Sequence, residues 1–172
     1  MAPQILLIVG KSNSGKTTLV EKLIRELNAR KYIVGSVKHT HDRFDFDKKG
    51  KDSWRHKNAG ATATLVVTDS RVAMVKDDQR SNVEKISDYL GDSDIIIAEG
   101  FKTLALPKIE IFRKDSPHDS PLCLDDPNLV AFVTDVEINP EVSVFGLEDI
   151  TELADMIEAR YLSKAPVKER VE

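Results

Sequence analysis

Eight consecutive residues near the start of the chain could hold a run of phosphates. Gly10-Lys11-Ser12-Asn13-Ser14-Gly15-Lys16-Thr17 satisfies G-x-x-x-x-G-K-[ST] at every fixed position. In that pattern the glycines let backbone N–H groups curl around phosphate oxygens, and the helix that follows turns its positive end towards them. The Lys16 ammonium is expected to reach the outer phosphates, and the Thr17 hydroxyl to bind Mg²⁺. Residues 10–18 therefore form the expected cradle, with Gly10, Ser12, Asn13, Ser14, Gly15, Lys16, Thr17 and Thr18 as its candidate contacts.

A phosphate site with Mg²⁺ needs acids. Glu99 ends the apolar run Ile95-Ile96-Ile97-Ala98 and is expected opposite Thr17. There it would hold Mg²⁺, directly or through water, or orient an attacking water. Asp52 is a second metal candidate, although an Asp opening a helix is also a common cap. Asp47-Lys48-Lys49-Gly50 fits the short Asp-x-x-Gly pattern that some GTPases place near the outer phosphate, and a turn explains it equally well. Asp135, in Thr134-Asp135, follows another apolar run; a carboxylate there accepts from guanine N1 and N2, donors that adenine lacks. The usual accompanying lysine and spacing are missing, so guanine is suggested only.

Lys38-His39-Thr40-His41 reads as a phosphate-facing cluster, since its two histidines lack further metal ligands nearby. Between Lys38 and Lys57 there are seven Lys/Arg against the four acids Asp42, Asp45, Asp47 and Asp52, in a chain of net charge −4. That basic segment suggests a second anionic substrate or charge relief for the nucleotide; a solvated basic loop is the plain alternative. The overall acidity argues against general nucleic-acid binding.

The elements that must position these groups are legible. Ile5-Leu6-Leu7-Ile8-Val9 is a buried-strand run, and Lys16 to about Arg30 carries apolar residues at helical spacing. Residues 32–37 make a second strand, completing a βαβ unit whose strands should be parallel. A polar loop over about 39–51 precedes a short helix capped by Asp52 or Ser53 and stopped by Gly60, with Trp54 on its packing face. Residues 62–67 and 71–75 flank Thr68-Asp69-Ser70 as a hairpin. Helix over 82–90, strand over 94–100, a half-exposed alternating strand over 108–112, a loop over 113–127, strand over 129–133, a short strand near 142–145 and a closing helix over 148–162 follow. The expectation is a three-layer α/β/α P-loop NTPase fold, mostly parallel with an antiparallel hairpin. It forms one domain over 1–162 with a frayed charged tail at 163–172. Parallel sheets bind ligands at the carboxyl ends of their strands, which is where the phosphate loop, Lys38-His39, Glu99 and Asp135 fall.

The single cysteine, Cys123, excludes an internal disulfide and Cys-x-x-Cys metal sites. No apolar stretch is long enough to span a membrane. Met1 leads almost directly into the first strand, so a cytoplasmic protein without a leader is expected.

The blocks GKSNSGKTTL, VKHTHDRFDFDKKGKDSWRHKNAGA, IIIAEGFK and VTD together resemble the molybdopterin-guanine dinucleotide biosynthesis protein B (MobB) family. The phosphate loop is widespread; the Lys-His-Thr-His block and the Glu-Gly-Phe-Lys ending carry the specificity, and the similarity runs to about residue 160. The resemblance implies a homodimeric GTP-binding accessory protein with slow hydrolysis, using Mg²⁺. Its implied partners are molybdopterin and the molybdenum cofactor guanylyltransferase. Related proteins such as dethiobiotin synthetase use a strand-end Glu-Gly and a helix-opening Asp for Mg²⁺, which points to Glu99 and Asp52 here. Two other readings of the scaffold are a small-molecule kinase or ATP-dependent ligase, and a non-catalytic pterin carrier.

Overall fold

The computed structural model describes residues 3–40 and 47–162. His41 of the Lys-His-Thr-His block, the acids Asp42 and Asp45, Arg43 and the tail 163–172 lie outside the described residues. Two compact units emerge: the chain through His39 together with Ile86 onward, and the intervening stretch Thr40–Lys85.

The first unit is built on a six-stranded sheet. Its strands are β1 (Gln4–Val9), β2 (Val34–Lys38), β5 (Ile95–Glu99), β6 (Lys108–Phe112), β7 (Leu129–Thr134) and β8 (Ser143–Phe145). They run in the order β2-β5-β1-β6-β7-β8, and every neighbouring pair is parallel. The fold is α/β, mostly parallel, as expected. β1 and β2 are parallel but not adjacent, because β5 inserts between them.

α1 (Lys16–Ala29) and α4 (Ile150–Tyr161) cover one sheet face. Leu19, Leu23 and Leu27 recur every four residues on α1, so one stripe faces Leu6, Ile8, Ile97 and Ile109. Each such leucine, fully buried, contributes about 1.5–3 kcal/mol. The far ends of the two helices are joined by polar groups. Arg30 donates to Glu26, Asp155 and Glu158, and the Tyr32 hydroxyl donates to Glu158 at 2.6 Å. That bond pushes the Tyr32 phenol up to about 12.

The opposite face differs from the expectation at β6. Its residues alternate polar and apolar, yet all five are buried. Ile109 and Ile111 enter the helix-covered core, while Lys108 and Glu110, each 1% exposed, point under the segment 122–126. Alternation marks the strand correctly, but the outward face is covered. Burial is tolerated because each charge is satisfied. Lys108 Nζ donates to Asp126 at 2.6 Å and to the Lys102 carbonyl at 3.0 Å. Glu110 accepts from the N–H groups of Leu122 and Cys123. Burial raises the Glu110 carboxyl above its ordinary range, against the pull of those two donors. Burial also lifts the Cys123 thiol to about 11, so it is a small apolar residue rather than a nucleophile. Near the other edge, Gly35 of β2 leaves room for Leu90 and Ser93, which follow α3 (Asn82–Tyr89).

The second unit contains α2 (Asp52–Asn58) and the two-stranded antiparallel sheet of β3 (Ala63–Val67) and β4 (Val72–Lys76). α2 ends in a Schellman arrangement: Gly60 takes a φ of 107°, with Gly60 N–H to Lys57 and Ala61 N–H to His56. Its start corrects the sequence reading. Lys51 is the cap residue, Asp52 is already inside the first turn, and no side chain caps the helix. An extended Lys51 suffices, and Asp52 acts on the exposed N–H groups through charge instead. α2 packs on β3, where Thr64 is buried. The register pairs Leu65 with Met74 and Val67 with Val72, so these four share the other face and are 43–65% exposed.

The Lys108–Asp126 pair yields a pH-resolved prediction. Lys108 holds the Asp126 carboxyl below its ordinary range. A depressed acid contributes stability that is complete above its unfolded value, about 4, and is lost as pH falls through the folded value. Asp126→Ala should cost about 3 kcal/mol in urea unfolding at pH 7, because a buried ammonium loses its partner. The gap between the two proteins should narrow below about pH 4; an equal gap at both pH values would show that the ion pair is not its origin.

Candidate functional site

The loop between β1 and α1 is built from backbone conformations that few residues adopt. Gly10, Asn13 and Gly15 have φ of 147°, 61° and 96°. Asn tolerates the left-handed region better than most side chains, and glycine adopts it freely. At Gly10 the absence of a side chain is also a spatial requirement. A methyl group there would come within 2.6 Å of both the Ile111 carbonyl and Ser14 Oγ. The loop thus lies against the end of β6 and delivers Gly15 to the start of α1 with its N–H groups unpaired by the helix.

Lys16 bends back over this loop. Its ammonium donates to the carbonyls of Gly10 at 3.0 Å and Lys11 at 2.6 Å. Desolvation by burial lowers its pKa, with Glu99 opposing and Lys38 adding to the decrease. Thr17 Oγ1 lies 3.0 and 3.1 Å from the two oxygens of Glu99. Lys38 Nζ stands 3.4 Å from Glu99 Oε1. The register explains the meeting, since Glu99 pairs with Ile8 on one side and Lys38 on the other. Three expectations drawn from separate strand ends therefore converge on one carboxylate.

Around Glu99 the chain turns sharply. Gly100 and Phe101 both have positive φ, 97° and 55°. For a bulky Phe this is an uncommon conformation of the kind that costs about 1–3 kcal/mol and gathers at functional sites. His39 packs its ring on Phe101 at 4.6 Å, and its N–H donates to the Glu99 carbonyl. His39 thus supports the turn that aims Glu99.

On the other side of the phosphate loop, Asp135 accepts from the Lys114 N–H at 2.6 Å. Ser12, Asn13 and Thr18 are exposed, and Ser14 is buried with no partner for its hydroxyl among the described residues. The segment after β6 closes over this region. His118 Nε2 meets the Ser12 carbonyl at 3.0 Å, and Lys11 Nζ donates to Ser120 at 3.2 Å. Arg113 lies beside Gly15: a methyl group on Gly15 would be 3.3 Å from Arg113 Cδ and 3.9 Å from Nη1. Sequence reasoning missed Arg113, His118 and Phe101. The strand-end rule would have found Arg113 had β6 been recognised as a buried central strand.

Asp47 and Asp52 belong to the second unit. Asp47 Oδ1 accepts from the Lys48 N–H, Lys51 N–H donates back to the Lys48 carbonyl, and Gly50 is left-handed, so Asp-x-x-Gly here forms a local turn. Asp52 is exposed, with Arg55 at 3.8 Å. A cavity of about 610 Å³, lined in part by Leu124, Pro127, Asn139 and Val142, lies where the chain enters β7 and β8. That is the amino edge of the sheet, away from the phosphate loop.

Left-handed glycines, an ammonium held by carbonyls of its own loop, and a hydroxyl facing a carboxylate suit a phosphate chain with a divalent cation. Lys16 and the loop N–H groups could take the phosphates; Thr17 and Glu99 could take the metal. The family model of molybdopterin guanine dinucleotide synthesis protein B (MobB) matches residues 5–135, from β1 to the residue after β7. The molybdopterin-guanine dinucleotide biosynthesis adapter protein of Escherichia coli (strain K12) is 35% identical over 158 residues, covering 89% of this chain and 90% of that protein. The protein of the same name from Haemophilus influenzae is 37% identical over 161 residues, covering 90% and 87%. The crystal structure of Bacillus subtilis MobB shares the fold, with a TM-score of 0.73 at 22% identity over 94% of this chain and 99% of that one. On the family match and these relatives, the chain belongs to the MobB family.

Proposed function

We propose that this chain is a GTP-binding adapter in molybdopterin-guanine dinucleotide biosynthesis, with Mg²⁺ as its cofactor and slow GTP hydrolysis as its activity. The observation that carries this reading is the meeting of Lys16, Thr17 and Glu99 at the carboxyl edge of the sheet. Phosphate oxygens offer the Lys16 ammonium charged acceptors in place of the Gly10 and Lys11 carbonyls. Thr17 and Glu99 would hold Mg²⁺ where they now hold each other. The metal would supply charge neutralisation at the outer phosphates. In hydrolysis Lys16 would stabilise developing charge, while Glu99 orients the attacking water.

Asp135 is the proposed guanine reader. One of its oxygens is engaged by Lys114 N–H, which fixes the carboxylate and leaves the other oxygen for a base donor. The basic stretch 38–57 would face the pterin phosphate or the partner guanylyltransferase. The relatives' name, molybdopterin-guanine dinucleotide biosynthesis adapter protein, supports that pathway, and a cytoplasmic setting fits it. No helix among the described residues is long and apolar enough to cross a membrane.

The adapter is also proposed to be a homodimer, with the hairpin face of Leu65, Val67, Val72 and Met74 in the contact. A two-stranded sheet is marginal alone, and apolar side chains this exposed favour a partner. The doubly substituted Val67→Lys, Met74→Lys protein should sediment as a monomer at concentrations where the unaltered protein sediments as a dimer.

Calorimetric titration with GTP and ATP, each with Mg²⁺, tests the nucleotide reading. GTP should bind at least about 10-fold more tightly than ATP, as expected for charge-assisted hydrogen bonds worth 1.5–3 kcal/mol. Asp135→Asn keeps an oxygen for the Lys114 N–H but removes the charge that reads guanine, so the preference should disappear. Equal binding of GTP and ATP by the unaltered protein would remove the guanine assignment.

A further inference from the structure

The phosphate loop has a neighbour that the proposed nucleotide site does not yet use. Arg113 is the first residue after β6, and β6 pairs with β1 in parallel, so the two strands deliver their carboxyl ends side by side. Its side chain lies against Gly15, on the side of the loop away from Glu99, because β5 and β6 flank β1 on opposite sides.

Several polar atoms here lack partners. Among the described residues, four buried side-chain polar atoms have none: Ser14 Oγ, Thr64 Oγ1, Arg113 Nε and Ser116 Oγ. Three of the four belong to the phosphate loop or to the segment that follows β6. Native proteins rarely leave buried donors unsatisfied, and a cluster of them calls for a reason. Ser14, 1% exposed, has its hydroxyl beside Gly10, and Arg113 lies beside Gly15, so both unsatisfied groups border the phosphate loop.

We propose that Arg113 is a second cationic arm of the nucleotide site, donating from its guanidinium to the phosphates nearer the sugar. The inference rests on the nucleotide reading above and extends it. The position selects those phosphates. Lys16 serves the outer end of the chain, while the loop N–H groups around Gly15 cradle the α- and β-phosphates. Arg113 is beside Gly15, and the next residue, Lys114, binds Asp135 through its N–H, so the pair spans the interval between the phosphate cradle and the candidate base reader. A guanidinium suits this task because its planar fork can give two parallel N–H donors to one phosphate, where an ammonium acts as a point charge. The segment after β6 is held in place by Glu110, which accepts from the N–H groups of Leu122 and Cys123, and by the contacts of His118 and Ser120 to the loop.

The test is titration of the full chain with GTP and with GDP, in Mg²⁺, for the unaltered protein, Arg113→Gln, Arg113→Lys and Lys16→Ala. Arg113→Gln should weaken GTP and GDP by a similar factor, about 10- to 100-fold, as loss of a charged hydrogen-bonding partner does. Arg113→Lys should recover part of that loss, because it restores charge without the fork. Thermal unfolding without nucleotide reports whether either variant is misfolded, and if Arg113→Gln is, the partial loss in Arg113→Lys carries the test. Binding by both variants equal to that of the unaltered protein overturns the inference, and leaves the nucleotide reading standing if Lys16→Ala has lost binding. A loss confined to GTP also overturns it, since it would place the guanidinium on the terminal phosphate. Failure of the unaltered protein to bind either nucleotide overturns the nucleotide reading and Arg113's role together.

Discussion

The carboxyl edge of the sheet depends on Gly10 having no side chain. With the Ile111 carbonyl and Ser14 Oγ both 2.6 Å from where a methyl group would sit, any other residue would push the loop off the end of β6. Because the loop can lie there, α1 starts at Lys16, its axis aligns the Leu19, Leu23 and Leu27 stripe with the sheet, and Thr17 reaches Glu99. A backbone approach thus decides both the packing of the first helix and the chemistry at its tip. Neither would survive if the two strands were spread to make room.

The site's electrostatics are balanced locally rather than by the chain's overall acidity. Lys16 and Lys38 flank Glu99, and Lys38 raises the difficulty of keeping Lys16 charged while Glu99 eases it. One carboxylate therefore serves two ammonium groups and a hydroxyl. Replacing any of these partners changes the others' environment, so effects of substitutions at Lys16, Lys38 and Glu99 should not add.

The phosphate loop, its strand and its helix were readable from residues alone because the relevant signals are local: fixed glycine spacing, an apolar run, a four-residue repeat. The Thr17–Glu99 meeting was readable too, from the rule that parallel strands deliver ligands at one edge. What escaped depends on distant partners. Lys108 and Glu110 look outward-facing in an alternating strand, and only Asp126 and the N–H groups of Leu122 and Cys123 make their burial tolerable. Arg113 was missed as a consequence of that misreading. The hairpin was legible as two strands, but its bare Leu65, Val67, Val72 and Met74 face was not, since alternation shows which residues share a face and not what covers it. The choice between Asp47 and Asp52 stayed open because a four-residue pattern serves a turn as well as a metal. The turn geometry at Asp47–Gly50 accounts for the former without any ligand.

The strand order carries a consequence for how the chain is made. β1 is synthesised well before both of its hydrogen-bonding neighbours, β5 and β6, which begin at Ile95 and Lys108. At about 5–20 residues per second, an emerging β1 waits roughly 5–20 s for its first partner. During that interval Ile5, Leu6, Leu7, Ile8 and Val9, all buried in the finished protein, have no sheet to enter. The strand that anchors the phosphate loop is thus also an apolar segment that a nascent chain must keep from strangers, and a natural target for a holding chaperone.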